Sequence, residues 1–422
     1  MQGAFSRLRD SAFLRQGVLV FAGSTYLNAA GFVFHAIVQR TLGPDGYGTF
    51  YALLAASTVV TSLTTIAIPV VTRLAAEFRA LGDTAHLRGL VVGVGRALIA
   101  GGIATLVASA VFAVPLGAYF RAPAWAIPAT AALLIAVVVS NAYRAVSQGL
   151  LDFESYAIST FLDGTVKAIA TIAFALFGFK LFGAIGGFFA GSATGSVISL
   201  MQVLRPALAG PEAPVRFDWR RIAHAAAGSA ALAVCAALLG NVDVIVVRGA
   251  FDGTTAGLYA AAAQSAKILL FGVGFVPQVL LPQATDRRAR GQSTGGVLLA
   301  AAGVTLALGA LCLVAFDAFG PLVLRALGGA RYEAASGMLV WYGAAMLFTA
   351  LVSLVGTYGL AMHRLAFAWP ATIGSALTAG AIVFAHPSID VVLRELVAGT
   401  ALTALGVGIA VALQSRPQAA AS

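Results

Sequence analysis

Apolar residues run along this chain in long stretches, and polar residues gather in the short gaps between them. Twelve stretches come near or above the roughly 20 residues an α-helix needs to cross a bilayer: 17–38, 47–72, 89–115, 124–143, 156–179, 181–204, 222–247, 257–281, 294–316, 338–362, 365–385 and 396–413. Gly and Pro inside several of them are compatible with membrane helices, whose neighbours re-satisfy freed backbone groups. The pattern predicts an all-α, polytopic membrane protein with about twelve transmembrane helices. The first stretch follows Arg7, Arg9 and Arg15 in the manner of a signal peptide. It exceeds the roughly 7–15 apolar residues of such a segment, so we read it as a retained helix.

One stretch is written twice. Arg40 begins R-T-L-G-P-D-G-Y-G-T-F-Y-A, and Arg248 begins R-G-A-F-D-G-T-T-A-G-L-Y-A. With an offset of 208, Arg40 falls on Arg248, Tyr51 on Tyr259, Ala52 on Ala260 and Pro69 on Pro277. Repeats in matching hydrophobic hairpins point to two homologous halves, a plan common among secondary transporters. We therefore expect two pseudo-symmetric six-helix bundles around a central cavity, residues 1–204 and 222–422, joined by a linker at 205–221. Three prolines and a closing basic-aromatic cluster suit that linker to the membrane surface. Gly43-Pro44 and Gly46 are expected to form a tight outer turn, with Arg40 and Tyr47 at the interface.

Composition agrees with the pattern: 60% of residues are hydrophobic and 10% charged, against roughly 25% charged in a soluble domain. A net charge of +10 would by itself suggest a nucleic-acid partner. Its placement argues otherwise. With the N-terminus in the cytoplasm, sixteen of the 26 Lys and Arg residues fall in inside segments, seven in outside segments and three within helices. The positive-inside rule then places both termini and the loops 73–88, 205–221 and 285–293 in the cytoplasm, and no nucleic acid is needed to explain the charge.

Enzyme motifs are mostly missing. There is no G-x-x-x-x-G-K-[ST] and no H-E-x-x-H. Gly291-Gln292-Ser293-Thr294-Gly295 matches G-x-S-x-G, but it sits in a basic loop opening a membrane helix rather than in a strand-to-helix elbow. Cys235 and Cys312 lie within apolar runs and are expected to be free thiols. The expectation is a protein that is not an enzyme, with no cofactor and no metal site.

Charges inside a bilayer are costly and are functional candidates by default. Asp163 and Lys167 are four apart on one helix and share a face. Arg96 lies at a similar depth and could join them. Asp243 and Lys267 fall at comparable depth on consecutive helices, which allows an ion pair, and His35 holds the repeat position equivalent to Asp243. Arg96, Lys167 and Lys267 are the candidate substrate-binding groups; Asp243, Asp163 and His35 are the candidate coupling or charge-pairing groups. The alternative is mutual neutralisation within a packed core. Three bases against two acids favour an anionic solute. Gly183, Gly187, Gly191 and Gly195 form a smooth helix face, suited either to static close packing or to sliding.

V-Q-R-T-L-G-P-D-G-Y-G-T-F-Y (38–51) resembles the R-x-L-G-P-x-x-Y-G hairpin of polysaccharide transporters. These are the O-antigen and exopolysaccharide flippases of the multidrug/oligosaccharidyl-lipid/polysaccharide exporter superfamily. N-V-D-V-I-V-V-R-G (241–249), A-G-L-Y-A-A-A (256–262) and V-P-Q-V-L-L-P (276–282) resemble the seventh and eighth helices of that family. The resemblance implies alternating access that moves an undecaprenyl-pyrophosphate-linked oligosaccharide from the inner to the outer leaflet of a bacterial inner membrane. It also implies membrane lipid, a polysaccharide polymerase and glycosyltransferases as partners in envelope biosynthesis. A multidrug or small-solute antiporter of the same superfamily is the alternative. The first helix carries Asn28 and His35 but no acid, whereas cation-coupled drug extruders of the superfamily often use an Asp there.

Overall fold

The computed structural model describes residues 12–64, 67–207, 213, 215 and 219–414. Among them every regular element is helical. The chain opens with α1 (Ala12–Thr64), followed by α2 (Ile68–Leu81), α3 (Thr84–Val111), α4 (Ala113–Phe120), α5 (Ala126–Gly149), α6 (Phe153–Leu176) and α7 (Lys180–Ala207). After the linker come α8 (Trp219–Leu239), α9 (Val242–Ala250), α10 (Gly253–Val273), α11 (Val276–Ala289) and α12 (Gly295–Gly328). The last three are α13 (Ser336–Ala361), α14 (Ala368–Phe384) and α15 (Ile389–Leu413). Ten spans among the described residues have the length and apolar character to cross a membrane, and the bent pair formed by α1 and α2 makes an eleventh. The protein is a multi-pass integral membrane protein.

Helix α1 is where the sequence pattern and the structure differ. Its 53 residues would run about 80 Å if straight, more than twice the roughly 30 Å hydrocarbon core. Gly43 divides it, at φ 69° and ψ 178°, a backbone region that is close to glycine-only. Pro44 then starts the second arm, its fixed φ suited to a helix start. The expected tight turn is thus a single-residue break, with Gly46 inside the helix that follows. Tyr47 is fully buried rather than interfacial. The stretch 47–72 is also not one straight helix: α1 ends at Thr64, and α2 departs at 42°.

The chain divides into two compact units, residues 1–41 with 67–222 and residues 42–66 with 223–422. The break at Gly43 lies beside the first crossing point, so the arm 42–66 packs within the second unit. In the first unit a core of Val71, Leu87, Leu90, Tyr143 and Val146 joins α2, α3 and α5. In the second, Leu280, Val352, Tyr358, Ala371 and Val407 join α11, α13, α14 and α15. Outside these cores, Ile99, Val107, Leu311, Leu377 and Leu402 are exposed, as expected where lipid rather than water is the solvent. The helix starts carry caps: Asp83, Asp152, Asp252 and Ser388 accept hydrogen bonds from amides of the first turn.

The glycine ladder on α7 is a packing surface. A Cβ at Gly187 would overlap Thr171, and one at Gly191 would overlap the Asp163 carbonyl and Lys167. One at Gly195 would crowd Arg144. The missing side chains let the backbones of α6 and α7 approach closely. Gly191→Leu should therefore lower the unfolding midpoint of the purified protein in detergent, by an amount equivalent to at least about 1–3 kcal/mol of overpacking. Gly93→Ala meets nothing within 4 Å and should leave the midpoint nearly unchanged.

Candidate functional site

In the first unit, α5, α6 and α7 enclose a charge cluster. Asp163 is 4% exposed and receives Arg144 Nη2 at 3.0 Å and Lys167 Nζ at 3.3 Å. Arg144 also donates from Nε to the Ser159 hydroxyl at 3.1 Å and from Nη2 to the Ser159 carbonyl at 2.9 Å. The Lys167 ammonium stands 4.0 Å over the Phe188 ring. Every charge here is withdrawn from water and met by partners, the arrangement that makes a buried ion cluster tolerable. Lys167, a candidate substrate-binding group, is thus locked by Asp163. Arg96 does not join the cluster; it lies on an exposed face of α3. The group that completes it is Arg144, which lies just past the apolar stretch 124–143 yet is 6% exposed in α5. His35 is also buried in this unit, its ring edge-on to Phe34 at 5.2 Å.

In the second unit the expected Asp243–Lys267 ion pair is not formed. Asp243 is 1% exposed, and its Oδ2 accepts from the Tyr259 hydroxyl at 2.7 Å. Its Oδ1 is buried as well, and the Tyr342 hydroxyl and the Lys267 ammonium both act on the carboxylate. Tyr342 from α13 packs edge-on against Tyr259 at 5.7 Å. Lys267 instead donates to Asn241 Oδ1 at 3.4 Å and stands 5.3 Å from the centre of the Tyr51 ring. The cause is the break between α8 and α9. Asn241 at the break has φ −148° and serves as N-cap of α9, which brings its amide, rather than the Asp243 carboxylate, to the lysine. Lys267 is half-buried; its direct contacts are with neutral groups, and the Asp243 carboxylate acts on it at longer range.

The two copies of the repeated motif also meet within this unit. Arg248, 1% exposed, donates from Nη1 to Asp45 Oδ1 at 2.7 Å. A Cβ at Gly253 would overlap the Asp45 carboxylate, and one at Gly257 would overlap the Pro44 carbonyl. One at Gly48 would stand 3.2 Å from the Ala256 carbonyl carbon. With the offset of 208, Asp45 and Gly253 are equivalent positions, as are Gly48 and Ala256. Equivalent meets equivalent, the pattern of a local two-fold contact. Asp252 caps α10 through the Thr254 and Thr255 amides, both at 3.0 Å. Hydrogen bonds from Thr255 hold its carboxyl below the ordinary range, so it stays charged at the tip.

Residues 14–286 match the family model described as polysaccharide biosynthesis protein, which spans more than half of the chain, and the chain belongs to that family. No curated protein matches it in sequence. The fold is similar to the inward-facing conformation of a multidrug resistance MATE family transporter of the MOP superfamily, with TM-score 0.73 at 12% identity, covering 92% of this chain and 94% of that one. It is similar to the lipid II flippase MurJ in an inward closed conformation, with TM-score 0.67 at 13% identity, covering 94% and 86%. It is also similar to an outward-facing MATE transporter, with TM-score 0.56 at 14% identity, covering 97% of each chain. The expected transporter fold is borne out; at these identities the structures speak for the fold alone.

The two buried aspartates should respond differently to mutation. Asp163→Ala strands Arg144 and Lys167 in the interior and should cost about 3–5 kcal/mol, read as loss of folded protein from the membrane fraction. Asp243→Asn keeps an acceptor for Tyr259 and removes a charge that has no ion pair, so stability should stay within about 1 kcal/mol of wild type.

Proposed function

From membership of a polysaccharide-biosynthesis family, we propose that the protein flips a lipid-linked oligosaccharide, carried on undecaprenyl pyrophosphate, from the inner to the outer leaflet of a bacterial inner membrane. The observation that carries this reading is the environment of Lys267. A lysine whose direct contacts are an amide oxygen and a ring face, with the Asp243 carboxylate acting on it only at longer range, has no direct ion pair to break before it meets an anionic headgroup. Lys167, gripped by Asp163, is left out of this assignment. Arg96, on an exposed face of α3, is the second cation offered to the pyrophosphate. Asp243, a buried carboxylate, and His35, its counterpart in the repeat, are the groups assigned to coupling, since carboxyl and imidazole are the side chains suited to proton exchange. Asp163 holds the first unit together. The protein performs no catalysis, and the polymerase and glycosyltransferases that build the polymer act on either side of this step.

The second reading is a multidrug or small-solute antiporter, favoured by the likeness to a multidrug resistance transporter. The absence of an acid from residues 12–42 weighs against it. Drug efflux from cells expressing the protein, with no effect on surface polysaccharide, would decide for it.

Lys267→Ala should reduce surface polysaccharide at least about tenfold, one lost charge-assisted contact, while membrane abundance stays normal. Lys267→Arg should retain part of the activity, because the charge survives in a different geometry. Normal export by Lys267→Ala would overturn the assignment. Both termini and the linker are assigned to the cytoplasm. A cysteine introduced as Glu212→Cys, with Cys312→Ser to remove background, should react with an impermeant maleimide only after permeabilisation.

A further inference from the structure

Gly291-Gln292-Ser293-Thr294-Gly295, the stretch that matched a nucleophile motif in sequence alone, borders a cavity of about 410 Å³ where α11 leads into α12. Two arginines from different elements line the same cavity: Arg288 near the end of α11, and Arg364 from the loop after α13. Arg288 Nη1 lies 4.0 Å from the Met362 sulfur. The nearby acid, Asp286, is taken by Arg290 at 3.0 Å, so among the described residues Arg288 has no carboxylate within ion-pair distance. The Arg364 guanidinium stands 6.0 Å from the centre of the Tyr358 ring, which forms part of the wall. Two positive groups thus face one polar cavity with no acid lining it.

The backbone adds to this charge. Thr294 occupies the N-cap position of α12, a helix of 34 residues, yet its side chain makes no cap bond. Its hydroxyl is paired with the Tyr358 hydroxyl at 2.6 Å. The helix then begins with Gly295 and Gly296, so no side chain covers the first amides. Gly291, at φ 69°, turns the chain out of α11 ahead of this start. An uncapped helix end between two guanidinium forks has the donors and the field that a tetrahedral oxyanion requires.

We propose that this cavity is an anion site that takes a phosphate group, separate from Lys267 and independent of what the protein transports. Its volume exceeds that of a bare phosphate and falls within the ordinary range of ligand pockets, so the phosphate can be free or carried on a lipid headgroup. The planar forks of Arg288 and Arg364 bind its oxygens from two sides, and the Gly295 and Gly296 amides close the third.

The test uses the full chain purified in detergent. Retention of phosphatidylglycerol against phosphatidylcholine is read by native mass spectrometry, and inorganic phosphate is then added as competitor. Wild type should retain phosphatidylglycerol preferentially. The double variant Arg288→Gln/Arg364→Gln should lose at least about tenfold in affinity, corresponding to removal of charge-assisted bonds. Arg288→Gln alone, at an exposed position, should lose part of it and serves if the double variant does not fold. Arg290→Gln, whose partner is Asp286, should bind like wild type. Gly295→Asp places a carboxylate among the same donors, so it should abolish binding while the unfolding midpoint holds or rises, which a merely structural role would not produce. Displacement by millimolar inorganic phosphate assigns the site to free phosphate, and resistance to it assigns the site to the lipid headgroup; either supports the cavity. Equal retention by wild type, the double variant and Gly295→Asp, or no binding of either probe by wild type, would overturn it.

Discussion

A charge carried into the bilayer must find its counter-charge inside the protein, and this chain meets that demand in three different ways. Arg144 and Lys167 share one carboxylate, Asp163. Arg248, fully buried, reaches a carboxylate that is itself largely exposed, Asp45. Lys267 has an amide oxygen and a ring face. The desolvation cost is of the same kind in each case, several kcal/mol per ion, but only the first two are offset by an opposite charge in direct contact, since Asp243 acts on Lys267 at longer range. The lysine that lacks a direct ion pair is the group whose partner can be exchanged, and the functional reading rests on that inequality.

Glycine decides which of these partners can reach each other. Arg144, Asp163 and Lys167 come together because α7 presents Gly191 and Gly195 where side chains would fill the space. Asp45 reaches Arg248 because Gly253 and Gly257 let the first copy of the motif settle onto the backbone of the second. In both places the electrostatics depend on missing side chains, since an ion pair buried in a low-dielectric interior weakens steeply if its partners are held apart. This gives the two motif copies a shared role beyond common ancestry: each supplies the small residues that the other needs.

Much of this was legible in the sequence. The helical class and the many membrane crossings followed from hydrophobic run length, because a bilayer admits few alternatives to the helix. The Asp163–Lys167 pair followed from spacing on a single helix, where geometry is local. What was not legible depended on rotation about a helix axis or on distant segments. Arg144 looked like a loop residue because it lies near a helix end, and nothing in the run around it marks it as turned inward. Asp243 and Lys267 do lie close in depth, but depth leaves azimuth open, and the break at Asn241 turned a different oxygen towards the lysine. Asn241, a polar residue inside an apolar run, was the available signal. The meeting of Asp45 with Arg248 was beyond reach, since self-similarity between segments does not say that they touch.

The repeat also constrains how its two copies can diverge. Positions that meet across a local two-fold must be compatible with themselves, which favours small residues there; Gly48 facing Ala256 fits that rule, and Gly253 leaves the space that Asp45 fills. Positions away from the contact carry no such restriction. His35 and Asp243 are equivalent in the repeat, yet one is an imidazole packed on Phe34 and the other a carboxylate bonded to Tyr259. Chemistry is therefore free to become asymmetric where the copies do not touch, and within the contact asymmetry is limited to what small residues allow, as where Gly253 makes room for Asp45. Both the candidate coupling groups and the lysine with neutral partners lie in that unconstrained part of the repeat, where a duplicated scaffold can acquire a single function without losing the packing that holds its two copies together.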